Sequence, residues 1–292
     1  MKIRALGPWT CPLDGAPLQD TASGARCASG HLFDRAREGY LNLLPVQHKA
    51  SRDPGDDRAM VVARHRVLED GLFVPVADAV AAVVYQSAAA ASHNFRVVDA
   101  GCGEGYYLAH LLAAAEQWPL ASTLQVAAYD ISKWAVRAAA RRRQDVNWAV
   151  ASNRQPPLAC GTVDVVLSLF GFPQWPQFAD LLAPHGLVLL VDAGADHLLE
   201  LREVIYPEVV RTSPALPAAA LARGWLNVFE RQLEYQVTLT SAEQIQALLA
   251  MTPHVHRISA AGHAALCAMS RLEVTVSVVL RAMAQAVTPN TA

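Results

Sequence analysis

The run Val97-Val98-Asp99-Ala100-Gly101-Cys102-Gly103-Glu104-Gly105 constrains this chain more than any other stretch. Two β-branched apolar residues lead into an acid, and glycines then recur at every second position. Such a sequence suits a buried strand that ends in a tight turn and opens a helix. Glycine permits backbone conformations that a Cβ forbids and lets a ligand approach the main chain. The spacing departs from the GxGxxG dinucleotide fingerprint, whose third glycine comes one position later. From Phe95 onward strand-like and helix-like segments alternate. Strands are predicted at 96–100, 125–129, 146–150, 163–169 and 186–192, and helices at 105–116, 132–142, 174–183 and 196–205. That order implies parallel strands joined by crossover helices, a doubly wound α/β domain.

The remaining chain falls around this block. Residues 1–60 are rich in Gly, Pro, Asp and Arg and read as a small loop-rich module with a few short strands. Residues 61–95 read as helix, and the main domain is taken as 61–292. Two strand-like runs, Val228–Leu239 and Leu272–Leu280, flank a helix near 241–250 and suit an antiparallel sheet end. The chain of 292 residues is 53% apolar and 17% charged, which excludes a disordered polymer. The Val76–Ala91 stretch is too short for a membrane span and carries Asp78 and Gln86. No apolar region follows Met1-Lys2-Ile3-Arg4, and the five cysteines are scattered, so a cytoplasmic protein without a disulfide framework is expected. A net charge of −2 gives no global basic signature for nucleic acid.

Asp-x-Gly-x-Gly-x-Gly resembles the form found in class I methyltransferases that use S-adenosylmethionine (SAM), which assigns Asp99, Gly101, Gly103, Glu104, Gly105 and Tyr106 to the cofactor. Asp130 ends the second strand about thirty residues later and suits a ribose, because a carboxylate accepts two hydroxyl hydrogen bonds. Alternatively Asp130 caps the next helix, a role Ser132 also fits. Ile131 follows Asp130, and Ala151 and Ser152, after the third strand, fall where an adenine edge belongs. Phe170 and Phe172, after the fourth strand, suit either stacking on a flat acceptor or core packing. Cys102 reads as a small apolar filler. In the N-terminal module, Cys11, Asp14, Cys27 and His31 have zinc-ligand spacing, with an acid where a second cysteine is usual. Either zinc is held by this mixed set, or the metal is lost and Asp14 caps a turn.

A second resemblance is more specific. Glu38-Gly39-Tyr40-Leu41-Asn42-Leu43-Leu44-Pro45-Val46-Gln47-His48-Lys49, then Ser51-Arg52-Asp53-Pro54-Gly55-Asp56, is similar to the signature of the 23S rRNA (guanine-N1)-methyltransferases, both housekeeping and tylosin-resistance types. The likeness continues through Asp99–Tyr107, Ile205-Tyr206, Glu208-Val209, Leu249, Met251-Thr252-Pro253 and Arg257. It implies a class I SAM-dependent, Rossmann-like methyltransferase domain behind a small zinc-ribbon-like RNA-recognition module. It further implies a guanine in a 23S rRNA hairpin loop as substrate, and a homodimer. The family has Cys where this chain has Asp14, and a Tyr-Ala-Pro type of loop where this chain has Phe170-Gly171-Phe172-Pro173.

Guanine N1 carries a proton at neutral pH, so its methylation needs a proton acceptor or donors that stabilise the anion. His48, Asp53 and Asp56 are the signature residues with suitable chemistry, each with a structural alternative. RNA contact is expected from Arg35, Arg37, Lys49, Arg52, Arg58, Arg64 and Arg66, with Arg141-Arg142-Arg143 as a second basic cluster. Tyr40 and Tyr106 suit base stacking or core. A small-molecule acceptor, and an RNA-binding protein without catalysis, remain as the other readings.

Overall fold

The computed structural model describes residues 1–48, 51 and 53–286. The chain enters through β1 (Lys2–Ala5) and a three-stranded antiparallel sheet of β2 (Gln19–Asp20), β3 (Gly24–Arg26) and β4 (Leu32–Asp34), followed by β5 (Leu41–Asn42). Two helices follow, α1 (Arg58–Glu69) and α2 (Val74–Ala90). The alternating block then runs β6 (Phe95–Ala100), α3 (Tyr106–Ala115), β7 (Thr123–Asp130), α4 (Lys133–Arg142), β8 (Asn147–Val150), β9 (Val163–Leu169), α5 (Trp175–Leu181) and β10 (Leu182–Ala193). It closes with α6 (Leu199–Ile205), α7 (Ala218–Leu221), β11 (Trp225–Leu239), α8 (Ala242–Ala250), α9 (Ala260–Cys267) and β12 (Leu272–Gln285).

The main sheet has the order β11-β12-β10-β9-β6-β7-β8-β5. Strands β5 to β10 pair in parallel, and the β11–β12 hairpin adds antiparallel to β10. The order reverses direction beside β6, so the ends of β6 and β7 flank the switch-point crevice where ligands bind in such sheets. The expected alternation is observed. The long helix expected over 61–95 is instead broken at Asp70–Phe73, where Gly71 takes a φ of 83°. The proline in the first turn of α2 then restarts the helix with its missing N–H at no cost.

Both sheet faces are apolar, as buried parallel strands require. Val97, Val165, Leu167, Leu189 and Val191 belong to a cluster with α1, α2, α3 and α8. Their neighbours Val98, Val166, Val188 and Leu190 face the other way and join Trp9, Cys11, Leu18 and Cys27 with Trp175 and Trp225. The N-terminal segment therefore covers one face of the main sheet. β1 pairs with the first half of β7, and β5 with β8. Hydrogen bonds from Gln155 Nε2 to the Pro12 carbonyl (2.6 Å) and from Asn147 Nδ2 to the Leu6 carbonyl (2.7 Å) complete the join.

Candidate active site and metal centre

The glycine loop leaves β6 at Ala100 and feeds the N-terminus of α3. Gly101, Gly103 and Gly105 all have positive φ. Gly105 also faces a hard contact, since a Cβ there would stand 2.7 Å from Trp148 Cη2 and 3.0 Å from Ala139 Cβ. Gly105→Ala is expected to cost about 2–4 kcal/mol by urea unfolding, from left-handed strain plus overpacking. Gly103→Ala, whose Cβ would meet only Arg64 Nη1 at 3.7 Å, should lose about half as much. Equal losses would mean that packing at Trp148 is slack.

Asp130 bolts the loop to the end of β7. Its Oδ2 accepts from the Gly103 amide (2.9 Å) and its Oδ1 from the Ser132 amide (2.7 Å). Ser132 caps α4 through the Ala135 amide, so the capping role belongs to Ser132 and the acid serves the loop. Burial pushes the Asp130 carboxyl above its usual range. Burial, with the Asp130 charge adding, pushes Asp99 up to about 8. Glu104 is 2% exposed. Its Oε1 accepts from Arg142 Nη2 (2.6 Å) and lies 3.1 Å from His65 Nδ1. Its Oε2 is buried without a partner among the described residues, as are Tyr106 OH and Ser168 Oγ. Burial raises the Cys102 thiol well above its ordinary range, so Cys102 is an inert filler. Ala151 is buried and its amide donates to the Asp130 carbonyl (3.0 Å), while Ser152 Oγ accepts from the Arg154 amide in the following turn.

The signature segment is clamped onto this turn. Glu38 accepts from Arg137 and Arg141, and Asp53 pairs with Lys133, all on α4. The Asp56 carbonyl accepts from Ser132 Oγ (2.6 Å), and its carboxylate pairs with Arg64. Gly55 has a φ of 80°, and a Cβ there would stand 2.8 Å from Ile131 Cγ2, so only glycine lets the segment lie this close. Asn42, Leu44, Asp53 and Pro54 line a pocket with Ile131 and Val150. The His48 side chain, and the expected RNA-contact residues Lys49 and Arg52, lie outside the described residues.

The acceptor loop separates its two phenylalanines. Phe170 adopts a φ of 52° and packs among Phe73, Tyr107 and His197, with ring centroids 5.9, 6.2 and 5.8 Å away. Phe172 is 86% exposed. His197 lies against this cluster with Nδ1 buried and unpartnered among the described residues, and burial lowers its pKa to about 4, so the ring is neutral. Tyr106 is buried with its hydroxyl unpartnered among the described residues, and Tyr40 packs against the core. Arg141, Arg142 and Arg143 are engaged by Glu38, Glu69, Glu104, Glu116 and Asp145.

A second constellation lies in the N-terminal segment. Cys11, Asp14, Cys27 and His31 offer donor atoms all within 4.8 Å of one another. Cys11 Sγ and Cys27 Sγ stand 3.5 and 3.3 Å from His31 Nδ1, and Asp14 Oδ2 stands 3.4 Å from Cys27 Sγ and 3.1 Å from His31 Nδ1. Zinc bonds of about 2.0–2.3 Å in a tetrahedron separate neighbouring donors by about 3.3–3.8 Å, so the set fits zinc. The Ala16 amide, then the Cys11 thiol, hold the Asp14 carboxyl well below its usual range, which keeps it an anionic donor.

Comparison with known proteins matches residues 9–52 to the RlmA N-terminal zinc ribbon and residues 97–186 to a methyltransferase domain. A Micromonospora griseorubida protein assigned as a 23S rRNA (guanine-N1)-methyltransferase is 32% identical over 93% of this chain and 94% of its own length. The Bacillus subtilis protein YxjB, assigned likewise, is 33% identical over 83% of this chain and 85% of its own. The chain belongs to the 23S rRNA (guanine-N1)-methyltransferase family. The Streptomyces fradiae 23S rRNA (guanine(748)-N(1))-methyltransferase is 36% identical, over 67% of this chain and 66% of its own length.

Within this methyltransferase family fold, the buried acids and unpartnered polar atoms at the glycine loop fit SAM, whose arm carries an ammonium group and whose ribose carries hydroxyls. Arg64, Phe73, Arg142 and His197 also reach the site; sequence reasoning points Arg64 and Arg142 toward RNA and singles out neither Phe73 nor His197. His197 had a faint signal, as a polar residue just past a strand end.

Proposed function

We propose that this chain transfers the methyl group of SAM to N1 of a guanine in a 23S rRNA hairpin loop. The observation that carries the reading is the glycine loop held by Asp130 and ringed by the buried acids Asp99 and Glu104. In this reading Asp99, Gly101, Gly103, Glu104, Gly105 and Tyr106 hold the amino-acid arm. Asp130 holds the ribose, and Ile131, Ala151 and Ser152 border the adenine. Bound SAM supplies an electrophilic methyl on a positively charged sulfur. Phe172, exposed at the strand end, offers a ring on which a splayed base stacks, and the neutral His197 ring, packed on Phe170, offers an acceptor nitrogen. Of the signature residues with proton-accepting chemistry, His48, Asp53 and Asp56, the last is tied to the site through Ser132 Oγ and Arg64. Residues 1–60 form the RNA-recognition module on its zinc site, and the enzyme works as a cytoplasmic homodimer.

The test is methylation of 23S rRNA with labelled SAM, mapped by primer extension. A methyl on N1 blocks base pairing, so one strong stop at a hairpin guanine is expected. Label confined to another position, or none from protein that binds SAM, would overturn the assignment of the acceptor.

A further inference from the structure

The amino-acid arm of SAM presents three charges, a sulfonium, an ammonium and a carboxylate. Around the glycine loop the chain answers the two cations with acid. Asp99 and Glu104 are each 2% exposed, and Asp130 stands on the neighbouring strand end. The ligand's carboxylate needs a cation, because an anion set among these acids would meet like charge in a poorly solvated place.

Two guanidinium groups reach the loop among the described residues. Arg142 is committed, with Nη1 donating to Glu69 and Nη2 to Glu104, both at 2.6 Å. Arg64 comes from α1. Its Nη1 is the one atom within 4 Å of a Cβ built on Gly103, at 3.7 Å, and nothing stands within 4 Å of a Cβ built on Gly101. The space over the loop is thus open, with Arg64 at its rim. The Arg64 side chain is 23% exposed and held from behind, since Asp56 pairs with Nη1 and the Met251 carbonyl accepts from Nη2 at 3.4 Å. A guanidinium has five N–H donors. These two contacts aim the group and leave donors to spare, and a planar fork suits a carboxylate.

We infer that Arg64 binds the carboxylate of the cofactor's amino-acid arm, an inference that rests on the SAM reading above. Asp56 keeps the guanidinium over the loop when no ligand is bound. The signature segment thereby contributes to cofactor binding through a residue outside the glycine loop.

Calorimetric titration with two ligands tests this. S-adenosylhomocysteine carries the amino-acid arm, and 5′-methylthioadenosine keeps the adenosine and sulfur without it. Arg64→Gln is expected to weaken S-adenosylhomocysteine by roughly 10- to 100-fold and methylthioadenosine by less than about twofold. Arg64→Lys should recover part of the loss, because a point charge replaces a fork. Equal losses for both ligands in Arg64→Gln would overturn the inference and make Arg64 a brace for the loop. A wild-type protein that binds neither ligand is a separate outcome, which removes the SAM reading and this inference with it.

Discussion

Asp99→Asn is expected to stabilise the ligand-free protein at neutral pH and to remove most of its affinity for SAM. The carboxyl is 2% exposed, and burial with the nearby Asp130 charge pushes its pKa up to about 8. An unfolded Asp titrates near 3.9, and each unit of difference is worth about 1.4 kcal/mol. The folded pKa is the higher one, so stability is fully present below about pH 4 and falls as pH rises toward 8. Asparagine does not titrate, so the variant escapes that loss, by at most about 4 kcal/mol at pH 7. The gain should vanish near pH 4. Against it stands the loss of a carboxyl that a bound cationic ligand draws into its ionised form, about 10- to 100-fold in affinity. Urea unfolding of both proteins from pH 4 to 8, with calorimetric titration of SAM, reads both effects. A gain that does not change with pH would mean that Asp99 is ionised in the folded chain.

Asp14→Ala and Asp14→Cys should move metal retention in opposite directions. Asp14 closes the donor set of Cys11, Cys27 and His31. Alanine leaves three ligands, and structural zinc sites use four. The module has only two- and three-residue strands of its own, so it leans on metal and on the main sheet for order. Asp14→Ala is therefore expected to lose zinc on dialysis against a chelator and to lose rRNA methylation, while SAM binding stays near wild type. Asp14→Cys should hold zinc longer than the wild type, because thiolate is the softer donor. Zinc content after dialysis checks both variants. Full retention in Asp14→Ala would show that Asp14 is not a ligand.

Much of the site is legible in the residues because its chemistry is local. Asp99, the three glycines and Asp130 sit at strand ends, where strand–turn–helix order fixes their neighbourhood in advance. The choice between Asp130 and Ser132 as helix cap was not legible, since both residues can cap and only the position of Gly103 decides. The break at Gly71 was hidden because apolar helical periodicity continues on both sides of it. Arg64 and His197 arrive from elements far away in sequence, and periodicity carries no information on which arginine of a helix faces a loop. The arginine run at 141–143 reads as a solvent-facing basic cluster, and the acids that engage it, mostly on distant elements, are not legible from the run itself.

The N-terminal segment hides part of the main sheet beneath its inward side, and this limits how such a protein can diversify. Trp9, Leu18 and Cys27 share one apolar cluster with Val98, Val166 and Leu190. Recombination that exchanged the first sixty residues between distant relatives would bring together two surfaces that never adapted to each other. Under the proposed RNA-recognition role of the module, a new target is reached through point changes on its outward side, with its inner side inherited together with the catalytic sheet.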